Sequence, residues 1–163
     1  MQRYDSVPKG ASRWSAAQKS LRRYNYLFSE TNAAYHEMSA RLGLSDSAAQ
    51  ILYTICDCGS GYRCPLHRIC METGVSKQTI NSALRKLEGE GYVYLEQAGG
   101  KRKDVCLTAE GIALAERTVS KIIAAENAVF ASWPPEDVER YLALTEEYLT
   151  AFRKEAKKQL NEE

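Results

Sequence analysis

Polar and cationic side chains share one face of a helix predicted in the middle of the chain. From Val75 to Leu87, apolar residues recur with the i, i+3, i+4, i+7 spacing of a single buried helical face. The opposite positions carry side chains that hydrogen-bond base edges and phosphate oxygens in DNA. These candidate contact residues are Ser76, Lys77, Gln78, Thr79, Asn81, Ser82, Arg85 and Lys86. The pattern predicts a helix that lies in a DNA groove, although an ordinary solvated face would carry similar charges.

A second group of cations follows at the tip of a predicted hairpin. Two short runs rich in β-forming residues, 92–95 and 105–107, flank a Gly99-Gly100 pair. Lys101, Arg102 and Lys103 come directly after the two glycines. We expect these cations to contact DNA, the alternative being a turn that only aids solubility.

The elements around these residues form a helix-turn-helix pattern. Pro65 suits the first turn of one helix, Gly74 supplies a left-handed turn, and Ser76 can cap the next helix. A long helix is predicted from about residue 18 to 42, and a shorter one over 46–56. Beyond a Thr108 cap we predict one helix reaching about residue 132, and a last helix over 136–158 after Pro134-Pro135.

Composition is that of a globular protein with uneven charge. The 163 residues are 44% hydrophobic and 26% charged, with a net charge of +1. Residues 1–103 hold 15 Lys and Arg against 9 Asp and Glu, whereas residues 104–163 hold 7 against 12. The front of the chain therefore suits a polyanion. No apolar run approaches the roughly 18 residues that span a bilayer, and the start lacks a secretory signal, so we expect a cytoplasmic protein without a membrane partner.

Five cysteines raise the question of thiol chemistry. An odd count without a secretion signal argues against a disulfide framework, and paired CxxC spacing for zinc is missing. Cys64, between Arg63 and the Pro65 helix start, is the best candidate for a reactive thiol. The alternative is that Cys56, Cys70 and Cys106 are core residues and that Cys58 and Cys64 have no special role. We predict neither a cofactor nor a bound metal, and no recognisable nucleophile, phosphate loop or ligand cluster indicates an enzyme.

Residues 18–160 resemble the MarR (multiple-antibiotic-resistance regulator) family of winged helix-turn-helix transcription factors. The resemblance rests on the order and spacing of three motifs, at 75–81, 84–93 and 105–111, around the hairpin. It implies a mainly α fold with a two-stranded wing and long terminal dimerisation helices. It also implies a homodimer on double-stranded DNA, expected to repress at a pseudo-palindromic operator and to be released by a small ligand.

The resemblance also implies a division of the chain. Residues 1–16 are expected to form a flexible arm, 17–44 a dimerisation helix, 45–108 the DNA-binding domain, and 109–163 further dimerisation helices. In many relatives the wing tip carries an Asp-x-Arg pair, and the matching positions here are Gly99 and Lys101. Lysine lacks the planar guanidinium of arginine, so Lys101 is less suited to bind the minor groove. Arg102 is the alternative residue for that role.

Relatives often bind small aromatic ligands in a cleft between the dimerisation and DNA-binding regions. By position, the lining residues here would be Tyr24, Phe28, Tyr35, His36, Tyr53 and Arg117. Aromatic residues at helical spacing also occur in plain cores, which is the alternative. Two other functions stay open: a cysteine-based redox or metal sensor, and a winged-helix module that binds proteins.

Overall fold

The computed structural model describes residues 16–100 and 102–160. The expected flexible arm therefore lies outside the described residues, except for Ala16. The described chain is mostly helical with one small sheet. In order, its elements are α1 (Ala16–Arg41), α2 (Asp46–Asp57), β1 (Arg63–Pro65), α3 (Leu66–Glu72), α4 (Lys77–Gly89), β2 (Val93–Gln97), β3 (Lys103–Leu107), α5 (Ala109–Arg117), α6 (Val119–Ala131) and α7 (Pro135–Gln159). The mainly α class and the wing hairpin are confirmed.

The core forms around α2, which packs against α3, α4, α5 and α6 as well as β1. Ile51, Leu52 and Ile55 of α2 are completely buried. The apolar face of α4 joins them through Ile80 and Leu84, as the i, i+3, i+4 spacing predicted. Because one face of α4 packs in the core, its opposite, polar face is exposed to solvent.

The turn between α3 and α4 has the predicted chemistry. Gly74 has φ +64°, a conformation that costs glycine little. The Ser76 hydroxyl accepts a hydrogen bond from the Thr79 backbone N–H at 3.2 Å and so caps α4. The helix-turn-helix is therefore built as the sequence indicated.

The sheet has one more strand than we predicted. The strand order is β1-β3-β2, with both pairings antiparallel. In the wing hairpin Val93 pairs with Leu107 and Gln97 with Lys103. The third strand, β1, is only three residues long, too short to produce an alternating pattern.

The single helix predicted from residue 109 to 132 is wrong, because the chain breaks at Thr118. This residue has φ −123° and ψ −91°, outside the helical region, and separates α5 from α6. Its buried hydroxyl donates to the Leu114 carbonyl at 2.6 Å. Threonine side chains compete in this way for helical carbonyls, which explains a local departure inside an apolar pattern.

Helices α1 and α7 carry the predicted apolar stripes, but in the single chain these stripes are largely exposed to solvent. Leu27 and Phe28 of α1 are 52% and 57% exposed, and Leu149 and Phe152 of α7 are 46% and 59% exposed. The two helices touch through Tyr24 and Tyr148, whose ring centroids lie 4.8 Å apart. Exposed apolar residues in such numbers are typical of a surface that another chain covers.

Candidate DNA-binding surface and effector cavity

The predicted contact residues of α4 share one solvent-exposed face. The Ser76 and Thr79 hydroxyls lie 2.8 Å apart and are both engaged at the helix cap. Lys86 lies 3.9 Å from Glu90, in an exposed pair that contributes little stability and is readily exchanged for a phosphate. The exposed set is Ser76, Lys77, Gln78, Thr79, Asn81, Ser82, Arg85 and Lys86. All eight residues predicted from the sequence thus belong to one surface.

The wing presents the second group of cations. Its tip is a tight turn in which the Ala98 N–H donates to the Arg102 carbonyl at 3.0 Å, with Gly99 and Gly100 at positive φ. Arg102 and Lys103 are exposed beyond this turn. Lys101, also predicted to contact DNA, lies outside the described residues.

Arg63 of β1 braces the base of the wing. Its guanidinium forms ion pairs with Glu96 of β2 and, at 3.4 Å, with Asp104 of β3. Glu96 and Asp104, two carboxylates of the wing, are thereby paired with Arg63 at its base. Arg63 was singled out in the sequence only as a neighbour of Cys64, because its partners lie far along the chain.

A cavity of about 550 Å³ opens between α1, α2, α3 and α6. Of the six predicted pocket residues, Tyr35, His36 and Tyr53 line it. Tyr24 and Phe28 do not, because they lie on the open stripe of α1. Arg117 is not in its lining either, and is exposed at the end of α5. The cavity thus lies beside the C-terminal half of α1.

Two tyrosines and one glutamate in the lining of this cavity are joined by hydrogen bonds. The Tyr35 hydroxyl donates to Glu126 Oε1 at 2.5 Å, and the Tyr53 hydroxyl donates to Oε2 at 2.6 Å. Burial, followed by the bond to Glu126, raises the pKa of Tyr35 to about 12 and raises the pKa of Tyr53 as well. Both phenols therefore stay protonated donors at neutral pH, linking α1 and α2 to α6.

The cavity is lined by acidic side chains. Its four carboxylates are Asp46, Asp57, Glu72 and Glu126, and its lining contains neither Lys nor Arg among the described residues. His36 Nδ1 lies 2.9 Å from Asp46. Sequence reasoning missed Glu126, whose only signal was a single acid inside the apolar stretch 119–131.

Cys64 is completely buried in β1, and its environment is the opposite of the one we expected. Burial, followed by a hydrogen bond with Cys58, raises the pKa of the Cys64 thiol to about 12. Arg63, the expected cation, is turned toward Glu96 and Asp104. Burial therefore opposes the reactivity expected of Cys64, since a buried thiol is harder to ionise.

Across the described parts of the chain, no group of three or more His, Cys, Asp or Glu side chains is placed to hold a metal ion. Over the same residues, no helix combines the length and the apolar character needed to cross a membrane.

The capped turn, the exposed polar helix and the braced hairpin together define a winged helix-turn-helix protein. Residues 42–103, which contain this unit, match the family model described as MarR family. This match confirms the resemblance to the MarR family over the winged helix-turn-helix unit. No curated protein sequence is significantly similar to it.

Solved structures share the fold over nearly the whole chain at low sequence identity. A MarR family regulator from Neisseria meningitidis superposes with a TM-score of 0.74 at 17% identity, covering 86% of this chain and 98% of that one. Sco3205 from Streptomyces coelicolor, a MarR family transcriptional regulator solved in complex with DNA, has a TM-score of 0.65, 18% identity and coverages of 85% and 93%. NadR, solved in complex with 4-hydroxyphenylacetate, has a TM-score of 0.60, 16% identity and coverages of 86% and 96%.

Proposed function

We propose that this protein is a homodimeric DNA-binding transcriptional regulator that represses at a pseudo-palindromic operator. The observation that carries the proposal is the exposed polar face of α4, held outward by its buried apolar face. Arg85, Gln78 and Asn81 are the side chains suited to base edges, while Lys77 and Lys86 suit phosphates. The DNA complex of the similar Sco3205 supports this assignment.

The two copies of α4 in a dimer would enter successive major grooves on the same side of the DNA duplex. Their centres would then lie about 34–36 Å apart, one helical turn of B-DNA. With about three to five phosphate contacts per subunit, the dimer would neutralise roughly 6–10 phosphates. Its affinity should fall by about 10³–10⁵ between 50 and 200 mM salt, because bound counterions return to the DNA.

The experiment for DNA binding removes one cation from α4. Arg85→Ala should weaken operator binding by about 1–3 kcal/mol, roughly 5- to 150-fold, and leave unfolding unchanged because Arg85 is exposed. Binding is measured by fluorescence anisotropy at fixed salt, with an operator selected from random duplex DNA. Lys121→Ala is the matched control, since it removes one exposed cation from α6. Equal affinities for the two variants would contradict the assignment of α4.

We further propose that a small aromatic ligand in the cavity releases the DNA. The Tyr35 and Tyr53 hydroxyls connect the dimerisation helix α1 and the DNA-binding core to the same carboxylate of Glu126. A ligand that replaces the Tyr35 hydroxyl would break the link between α1 and α6, and one that replaces the Tyr53 hydroxyl would break the link between α2 and α6. Such a ligand shifts the regulator only if it binds the two arrangements with different affinity.

The charges in the cavity favour a cationic ligand over an anionic one. Four carboxylates and no Lys or Arg line its described walls; Glu72 is paired with Arg68 and Asp46 with His36, so Asp57 and Glu126 are the carboxylates suited to a cation. A carboxylate ligand such as the 4-hydroxyphenylacetate bound by NadR would face like charges here. An aromatic amine would instead place its ammonium near Asp57 or Glu126 and its ring against the tyrosines.

A matched pair of ligands tests this choice. Tyramine and 4-hydroxyphenylacetate share a phenol ring but carry opposite charges at pH 7. We expect tyramine to raise the melting temperature and weaken operator binding, and 4-hydroxyphenylacetate to do neither. Glu126→Gln should reduce the tyramine effect, whereas Glu116→Gln, an exposed change outside the cavity lining, should preserve it. Preference for the carboxylate would refute the cationic ligand without affecting the DNA assignment.

A further inference from the structure

Two acidic side chains lie directly opposite each other on the outer face of the wing. Glu96 of β2 pairs with Asp104 of β3. The Cβ atoms of such opposite residues in antiparallel strands lie about 4.5–5.5 Å apart, and like charges at that spacing destabilise the strand pair. The neighbouring pair, Leu95 with Val105, packs with the core on the other face of the sheet. The hairpin therefore combines a stabilising inner face with a repulsive outer pair.

The third strand supplies a counter-charge that both carboxylates share. Arg63 lies in β1, on the far side of β3, and its guanidinium forms ion pairs with Glu96 and, from Nε at 3.4 Å, with Asp104. The Asp104 side chain is only 17% exposed, against 47% for Glu96. Because Asp104 has lost most of its water, its charge depends on a partner more than that of an exposed carboxylate does.

The two carboxylates lie one step along the strands from the cations of the wing. Lys103 directly precedes Asp104, and the strand partner of Lys103 is Gln97, which directly follows Glu96. A strand rises about 3.3 Å per residue, well within the Debye length of about 8 Å at physiological salt. Two unpaired carboxylates here would therefore weaken the attraction of Arg102 and Lys103 for phosphates.

We propose that Arg63 is a positioning residue for DNA binding by the wing. The inference rests on the proposed function and concerns a residue outside the assigned DNA contacts. By pairing with Glu96 and Asp104 together, Arg63 holds β2 and β3 in register. It also leaves one net negative charge, instead of two, beside Arg102 and Lys103. Arg63 acts through the two carboxylates and makes no contact with DNA itself.

The test compares the loss of Arg63 in the presence and in the absence of the two carboxylates. Affinity for a selected operator is measured by fluorescence anisotropy at fixed salt. In the wild-type protein, Arg63→Met should weaken binding at least about threefold, the coupling expected within one charge network. In a Glu96→Gln/Asp104→Asn background, the same change should alter affinity by less than about twofold, because no carboxylate is left to pair.

Two controls separate this role from a general loss of structure. The neutralised background gives a folded comparison even where Arg63→Met alone lowers stability, since it has no unpaired carboxylate in the wing. Lys158→Met is the matched control, because it leaves Glu155 of α7 without the cation that lies 2.6 Å away. This variant should bind the operator with wild-type affinity.

Hydroxyl-radical footprinting of the operator locates the effect. Arg63→Met should weaken the protections that Arg102→Ala weakens, and should preserve those that depend on Arg85 of α4. A general loss of structure would weaken both sets equally and would overturn the proposal.

The affinities decide between the remaining outcomes. Equal losses from Arg63→Met in the two backgrounds would indicate a direct DNA contact by Arg63, and would overturn the proposal while leaving DNA binding intact. Failure of the wild type to bind any selected duplex would overturn the proposed function and this inference together.

Discussion

At the scale of single residues, Gly111 of α5 is held against the backbone of another element. A Cβ atom at this position would lie 1.9 Å from the Tyr92 carbonyl oxygen, far inside van der Waals contact. That oxygen also accepts the Thr108 N–H at 3.0 Å, so it is fixed in place. The first turn of α5 therefore packs on the residue that leads into the wing.

Gly111→Ala should accordingly destabilise the protein. Alanine favours a helix by about 1 kcal/mol over glycine, but overpacking a fixed contact costs about 1–3 kcal/mol or more, and the clash should win. Thermal denaturation at one protein concentration should show a lower melting temperature. Gly89→Ala is the control, because Gly89 is also helical and has nothing within 4 Å of an added Cβ. Equal melting temperatures for the two variants would contradict the contact.

The residue scale also shows which parts of the site the sequence could predict. The face of α4 was predictable because its members are close in sequence and share one period. The Cys64 environment was not, since Arg68 and Cys58 reach it by folding and Arg63 turns away. Glu126 was missed for the same reason: its partners Tyr35 and Tyr53 are 91 and 73 residues away.

At the scale of elements, the long periodic helices and the capped turn were predicted within a few residues. Helix α1 ends at Arg41 and α2 begins at Asp46, close to the bounds of 42 and 46 predicted from the sequence. Two features escaped the pattern: the three-residue β1, and the break at Thr118. Each depends on a tertiary contact rather than on local propensity. Strand β1 exists because β3 pairs with it, and Thr118 is fixed by a buried hydroxyl bond.

At the scale of the whole molecule, the open faces of α1 and α7 lead us to expect a symmetric dimer. Leu149 contributes to this surface, and a charge placed there should oppose association because it would lose water without gaining a partner. Leu149→Asp should therefore shift the protein to a monomer in sedimentation velocity at micromolar concentration. The wild type should sediment as a dimer.

The control for this experiment is Met71→Asp. Met71 is an exposed apolar residue of α3, at 78% exposure, and lies on neither α1 nor α7. This variant should remain a dimer. A monomeric wild type, or equal dissociation of both variants, would contradict the proposed dimer.

The contact between α1 and α7 has a consequence for how each copy is made on the ribosome. Tyr148 is synthesised about 120 residues after Phe28 and its neighbour Tyr24. At about 5–20 residues per second, the aromatic stripe of α1 waits roughly 6–24 s for its partner helix to be translated. During that interval the nascent chain exposes the apolar stripe of α1 to chaperones. Helices α2, α3 and α4 have already emerged by then and can pack together.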